Sequence, residues 1–444
     1  MSTNLFRCYR ADEARQTILK RQLVSAVAPS PTVARGIERV FGEALSLEEA
    51  VRRIVLDVQQ HGEAAVIDWT EKIDGVRLTN LAVATEEIET AYRTIPAGLR
   101  QALHLAAERI RAFHQKQPSQ SWLEWSPAGG ALGQRVVPLE RVGVYAPGGT
   151  APYPSTLLMS AIPARVAGVP EIIVTTPGGR EDKIAPVLLA AAKVAGVDAV
   201  YRIGGAQAVA AMAFGLESLP KVDKIVGPGN IFVTLAKRQV YGLVDIDGLP
   251  GPTETLVIAD EQANPTVVAA DLLAQAEHDT LASAILITPS LALIEAVQLE
   301  ISRQIETLPR AEIIAESLQN QGGAVLCADL TEAVELGNLY APEHMCLHVA
   351  EPWALVGQVK HAGGVFLGEH AYEVLGDYTA GPSHVMPTMG TARFASPLNV
   401  RDFTKIISII GLEATEARAI SQAAQTLAEA EGLDGHATAV RKRA

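Results

Sequence analysis

The chain has 444 residues, of which 48% are hydrophobic and 20% charged, and a net charge of -13. This is an ordinary globular composition, with apolar material for a large core and a length that suits two or three domains. The acidic balance, with no Lys/Arg cluster beyond the short tail Arg441-Lys442-Arg443, excludes a basic nucleic-acid-binding face. No run of about 18 apolar residues offers a membrane-spanning helix.

The three cysteines, Cys8, Cys327 and Cys346, form neither a paired framework nor a metal-binding CxxC, so a reducing cytoplasm is expected. Met1 to Arg10 lacks the apolar core of a signal peptide, and the early acidic residues Asp12 and Glu13 do not suit a transit peptide. The first thirty residues predict a mixed-charge helical arm outside the core, ending at Pro29-Ser30-Pro31. A helix follows. Ser46 and Glu49 have capping-box spacing, Leu47, Val51, Ile54, Val55 and Val58 share one face, and Gly62 is a stop signal. A second helix is predicted from Leu99 to Phe113.

From Arg141 the pattern changes. Short apolar strands at Val142–Val144, Ile172–Thr175, Val200–Ile203 and Lys224–Val226 alternate with Ala-rich helices such as Pro186–Ala195 and Gln207–Phe214. A repeat of roughly 25–30 residues is the rhythm of βαβ units with a parallel sheet. After Pro252 the rhythm resumes, with strands at Thr255–Ala259, Ala284–Thr288, Ala324–Cys327 and Val365–Leu367 and helices opened by Asn264-Pro265 and running to Gln304. A last strand at Lys405–Ile410 precedes the helix Glu413–Ala430. The fold class expected is α/β: two Rossmann-like parallel-sheet units, a helical N-terminal arm and a small C-terminal segment. The expected division is residues 1–30, 31–144 plus 253–398, an inserted 145–252, and 399–444.

Several strands of the first unit end in glycine-rich loops, among them Ala146-Pro147-Gly148-Gly149, Gly204-Gly205-Ala206-Gln207 and Gly227-Pro228-Gly229-Asn230. Such turns let backbone N–H groups approach phosphates, which suits a dinucleotide; they also serve as plain α/β turns that need positive φ. None is GxGxxG, so they do not choose between the two.

Four segments carry chemistry. Gln275 and His278, three apart at a helix end, share a face and offer an oxygen and a nitrogen to one ion. Ala341-Pro342-Glu343-His344 sets a carboxylate beside an imidazole on a rigid turn, two proton acceptors of which histidine titrates near neutrality. Gly376-Asp377-Tyr378 leads through a non-periodic stretch to Ser383-His384. The chain closes on Glu431-Gly432-Leu433-Asp434-Gly435-His436. Together they supply imidazole, carboxylate and amide ligands without cysteine, a set that suits zinc or another divalent ion. Each segment also has a bland reading as a polar helix end, a charged turn or surface decoration.

In this order and spacing, these segments and the phrases Arg141–Gly149, Gly204–Ala208, Gly227–Asn230 and Gly251-Pro252-Thr253-Glu254 resemble the histidinol dehydrogenase family, from about residue 35 to the last turn. The resemblance implies oxidation of L-histidinol to L-histidine through an enzyme-held aldehyde with two NAD, the last step of histidine biosynthesis. It implies zinc held by Gln275, His278, Asp377 and His436, ligands that also face the substrate. His344 would take the alcohol proton and contact the substrate, and Glu343 would activate water. Thr253, His384 and Glu431 match substrate contacts, and Tyr145, Gln207 and Asn230 match NAD contacts. The resemblance also implies a homodimer in which Glu431 and His436 reach the partner's active site. Thr253 stands where serine is common and Ser383 where asparagine is frequent, and the segment Ala371–Leu375 is unusual. Two rivals remain: a related dehydrogenase for another small polar alcohol, and a metal-dependent binding protein with no turnover.

Overall fold

Helices begin where the sequence marks them. The Ser46 hydroxyl caps helix Leu47–Asp74, accepting the Glu49 N–H at 3.2 Å. Asn264 caps helix Pro265–Ala276 in the same way, its side chain accepting the Thr266 N–H at 3.0 Å. Gly62 leaves helical geometry at φ +59°, yet the helix resumes beyond it, so the expected stop is a kink.

A computed structural model describes residues 5–21, 31–127, 129–148, 152–179 and 183–443. Gly149, at the end of the first expected glycine loop, and the Pro29-Ser30 boundary of the arm lie outside these residues. In chain order the strands are β1 (Cys8–Arg10), β2 (Trp122–Trp125), β3 (Gly130–Pro138), β4 (Arg141–Tyr145) and β5 (Glu171–Thr175). Then come β6 (Ala199–Tyr201), β7 (Lys224–Val226), β8 (Asp245–Ile246), β9 (Glu254–Ala259) and β10 (Ser283–Thr288). The last are β11 (Gly322–Leu326), β12 (His344–His348), β13 (Gly364–Leu367) and β14 (Thr404–Leu412).

They form a six-stranded large sheet of order β1-β11-β10-β9-β12-β13, a five-stranded second sheet of order β6-β5-β4-β7-β8, and a three-stranded ribbon, β14-β3-β2. Every pairing in the large sheet is parallel. So is every pairing in the second sheet. The α/β class expected from the strand–helix rhythm is the one observed. The ribbon is antiparallel.

Both parallel sheets are covered on both faces, as near-continuous apolar strands require. In the large sheet Val257, Ala259, Leu286 and Cys346 face helices Pro265–Ala276 and Leu291–Gln304. Leu256, Ile258, Met345 and Leu347 face helix Leu330–Tyr340 on the other side. In the second sheet Val144, Ile172 and Val174 pack on helices Pro154–Ala167 and Pro186–Ala195, while Ile173 and Ile225 pack on helix Gly205–Phe214.

Two expectations are corrected by this packing. The helices between residues 47 and 114 do not join the large sheet across the insertion. Val51, Ile54, Val55, Val58 and Trp69 are buried in the core with Ile173 and Ile225, and Leu103, Ala106 and Ile110 with Val144 and Ile172, so both groups cover the second sheet. The start of the chain is not an external helical arm either. Cys8–Arg10 is an edge strand of the large sheet, paired with β11, and Phe6 is buried in that sheet's core. Among the described residues of that stretch, the helix is Ala11–Gln16.

The C-terminal segment is different in kind. Helices Ala414–Ala430 and Asp434–Arg441 each bury a single residue, Ala428 and Ala437. Ile406, Ile410, Ile420, Leu427 and Leu433 are exposed along this segment, with Trp122 and Trp125 on the neighbouring ribbon; Ile410 is 74% exposed and Trp125 73%.

Candidate active site

Two groups of the expected residues come together in this fold. The first lies at the carboxyl ends of the second sheet. Strand order reverses on either side of β4, between β5 and β7, and a crevice opens at such a switch point. Tyr145 ends β4 there, buried, and its Oη accepts the Gly205 N–H at 3.2 Å. Burial pushes the Tyr145 phenol up to about 12, so it stays a neutral hydrogen-bonding group. Asn230 follows β7 and caps helix Ile231–Val240, its Oδ1 accepting the N–H groups of Phe232 and Val233 at 3.0 and 3.2 Å. Gln207 is fully buried on helix Gly205–Phe214, and both polar atoms of its amide lack a partner. A buried amide without hydrogen bonds is costly, and polar groups of a ligand would satisfy it.

The second group lies at the amino ends of the large sheet. β9 and β12 are neighbours, with His344 directly opposite Thr255. Glu343 precedes β12, after Ala341 in the left-handed region at φ 53°, a sparsely populated conformation for a residue with a side chain. Thr253 precedes β9; its hydroxyl donates to Glu343 Oε2 at 2.5 Å, and the Glu254 N–H donates to the same oxygen at 3.1 Å. Burial, opposed by the Thr253 hydrogen bond, pushes the Glu343 carboxyl well above the usual carboxylate range.

His344 is buried, and its Nε2 has no partner. On the other side of the ring, Nδ1 lies 3.3 Å from Glu373 Oε1 and 3.4 Å from the Thr255 hydroxyl. Phe366 packs edge-on to the imidazole, ring centroids 5.7 Å apart. Burial pulls His344 down to about 4 and so keeps the ring neutral at pH 7. Thr255 also reaches Gln275 Oε1 at 3.0 Å and bonds Glu373 Oε2. The Thr255 hydroxyl, with one proton to donate and two lone pairs to accept, thus sits among Gln275, His344 and Glu373.

Gln275 is fully buried at the end of helix Pro265–Ala276, and its Nε2 has no partner. Burial lowers the pKa of His278, raises Asp377 to about 6 and lowers His384 to about 4, and the charges of His278 and His344 both bear on His384. His384 donates from Nδ1 to the Asp377 carbonyl at 2.8 Å, and its Nε2 accepts from Thr156 at 3.0 Å. Asp377 is not on a loop as expected. It sits on the short helix Glu373–Tyr378, where Gly376 allows close approach to Phe366; a Cβ there would lie 2.6 Å from that ring.

Glu373 was missed in the sequence. It is buried and held up to about 8 by that burial, one helical turn before Asp377. That i, i+4 spacing of two carboxylates was the available signal, since it puts both on one helix face.

Two expected residues stay apart. Glu431 and His436 are exposed on the C-terminal segment. Among the described residues no three His, Cys, Asp or Glu side chains are placed to hold a metal. The expected ligand set has only two such residues in this group, His278 and Asp377, with Gln275 as a donor of another type. The three nonetheless fit a cation: Asp377 is a largely buried carboxylate, Gln275 has an orphaned amide, and burial disfavours protonation of His278. Among the described residues, no helix is long and apolar enough to cross a membrane.

The sequence profile described as histidinol dehydrogenase matches residues 39–444. The chain belongs to the histidinol dehydrogenase family. Members of this family are NAD-linked oxidoreductases. The chain is 53% identical over 433 residues to the histidinol dehydrogenase of Deinococcus radiodurans, covering 97% of this chain and 98% of the relative. It is 48% identical to that of a Synechococcus species, covering 95% and 98%. A crystal structure of histidinol dehydrogenase from Elizabethkingia anophelis superposes with a TM-score of 0.90 at 34% identity, covering 99% of this chain and 98% of that one.

Proposed function

We propose that this chain oxidises L-histidinol to L-histidine in two hydride transfers to NAD, passing through an aldehyde that stays at the site. The observation that carries the mechanism is the pair at the start of β12: His344, buried and neutral with Nε2 unengaged, beside Glu343.

His344 Nε2 takes the hydroxyl proton as hydride leaves the carbinol carbon. The imidazolium that forms has the Glu373 carboxyl beside Nδ1 to stabilise it. Both hydrogen bonds to Glu343 fall on Oε2, which leaves Oε1 to take a proton from the water that adds to the aldehyde. His344 then removes a hydroxyl proton from the hydrate as the second hydride leaves. In sum, one alcohol, one water and two NAD give one carboxylate, two NADH and three protons. NAD, when bound, supplies the hydride acceptor, and Tyr145, Gln207 and Asn230 would line its site. Gln275, His278 and Asp377, with His436 of the partner subunit, would hold zinc, which supplies a Lewis acid that orients the substrate. Thr253 and His384 would contact substrate on this side, and Glu431 from the partner side.

A homodimer suits the C-terminal segment. Its exposed isoleucines and leucines, with Trp122 and Trp125, form an apolar surface of the sort that marks a protein interface. The metal set also lacks its fourth donor within the group at the large sheet. Three free cysteines suit a cytoplasmic setting.

NADH formation from L-histidinol by the purified protein tests the substrate. Turnover of another small polar alcohol, with none of L-histidinol, would overturn it. Mixing inactive His344→Asn and His436→Ala subunits tests the shared site. Heterodimers should regain activity, because one of their two sites has both residues intact; no recovery after subunit exchange would refute sharing.

A further inference from the structure

The loop after β7 is gripped from beneath by an ion pair that the chemistry above does not use. Lys237 is fully buried, and its ammonium is paired with the Asp247 carboxylate, itself 5% exposed. Each partner also holds Gly227. The ammonium donates to the Gly227 carbonyl at 2.7 Å, and Asp247 Oδ2 accepts the Gly227 N–H at 2.7 Å. Gly227 has φ +105°, and a Cβ there would lie 2.2 Å from the Tyr145 carbonyl oxygen. The loop is therefore pressed against the end of β4 in a conformation closed to other residues.

Lys237 lies on the same helix that Asn230 caps. Residues 227–230 are thus fixed at one end by the pair and at the other by the cap. A buried ion pair stabilises a fold little more than an apolar pair of the same volume. What this one provides is direction, because it fixes the peptide groups on both sides of Gly227.

We infer that Lys237 and Asp247 are positioning residues for the dinucleotide, pre-setting the loop at Gly227–Asn230 so that binding need not order it. This rests on the reading that NAD binds at these loops. The double variant Lys237→Met, Asp247→Asn removes both charges, leaves no buried charge unpaired, and keeps an oxygen for the Gly227 N–H. Loss of the lysine bond should raise the NADH dissociation constant, read by fluorescence titration, about tenfold, and the KM for NAD in parallel. Zinc content and the KM for L-histidinol should stay within about twofold, which a general loss of structure would not allow.

NADH affinity within about twofold of the parent, in a variant that melts cooperatively, would overturn the inference. So would equal losses for both substrates. Asn230→Ala and Gln207→Ala separate the two readings. If they weaken NADH binding and the double variant does not, the clamp alone fails. If none of the three weakens it, the loops are not the dinucleotide site and both readings fall. Should the double variant not fold, hydrogen exchange on the unmodified protein decides. The Gly227 amide should be protected before NAD is added, and protection appearing only with NAD would overturn the clamp.

Discussion

The two parallel sheets gather their candidate site residues at opposite ends. The second sheet uses its carboxyl ends, where Tyr145 ends β4 and Gly204-Gly205 and Gly227–Asn230 follow β6 and β7. Few of those side chains ionise, and backbone N–H groups and helix starts are what a phosphate-bearing ligand would meet there. The large sheet uses its amino ends, where Thr253, Glu343 and His344 sit at the starts of β9 and β12, with Gln275 at the end of an antiparallel-running helix. There the burial of carboxyl and imidazole groups shifts Glu343, Glu373 and Asp377 up and His278, His344 and His384 down. The carboxyl-end rule for open α/β sheets therefore describes one half of the molecule. The other half has gathered buried titratable groups where strands begin, at the cost of buried polar atoms without partners.

Substitutions should separate these two ends by what they spare. The largest effect is expected for His344→Asn, which should cut kcat about a thousandfold, as loss of a general base does, with zinc content unchanged. Next come the metal side chains: Gln275→Ala or His436→Ala should lower zinc affinity about tenfold to a hundredfold, read by competition with a chelator. Glu373→Gln should lower kcat about thirtyfold while leaving the KM for NAD alone, as expected for a residue acting through His344.

pH offers a finer separation. Glu343 works as a base only when deprotonated, and burial holds its carboxyl well above the usual range. Oxidation of the aldehyde should therefore quicken as pH rises above the usual carboxylate range, and Glu343→Gln should abolish that rise in a stopped-flow assay started from the aldehyde. The smallest effect belongs to the other sheet. Asn230→Ala should cost about 1 kcal/mol of stability through the lost helix cap and raise the KM for NAD with little change in kcat. A drop in kcat as large as that of His344→Asn would erase the distinction between the sheets.

Much of this was legible in the sequence because local chemistry and tertiary packing agreed. Helix starts at Ser46 and Asn264, strands β4 to β7 of the second sheet and strands β9, β10, β11 and β13 of the large sheet follow from caps, period and apolar runs. The failures have physical causes. β12 reads His-Met-Cys-Leu-His, so polar termini concealed a fully buried strand, and Glu343-His344 looked like a turn. The strands β2 and β3 are mostly exposed or glycine-containing, without the alternation that marks a half-buried strand. Which sheet the helices of residues 47–114 would cover was not written in their own apolar faces. Glu373 looked like one more carboxylate on a short segment, because nothing local marks the threonine and imidazole it meets from β9 and β12. The expected site residues stand out in the sequence chiefly as an ordered set of motifs, and the role proposed for each is what the family resemblance implies.

The central claim, that a single site carries an alcohol through to the acid, is tested by the stoichiometry of one reaction. The purified zinc-loaded protein, given limiting L-histidinol and excess NAD, should yield two NADH for each L-histidinol consumed, with L-histidine as the product and no aldehyde trapped by an added carbonyl reagent. One NADH per L-histidinol, with the aldehyde released to the reagent, would contradict it.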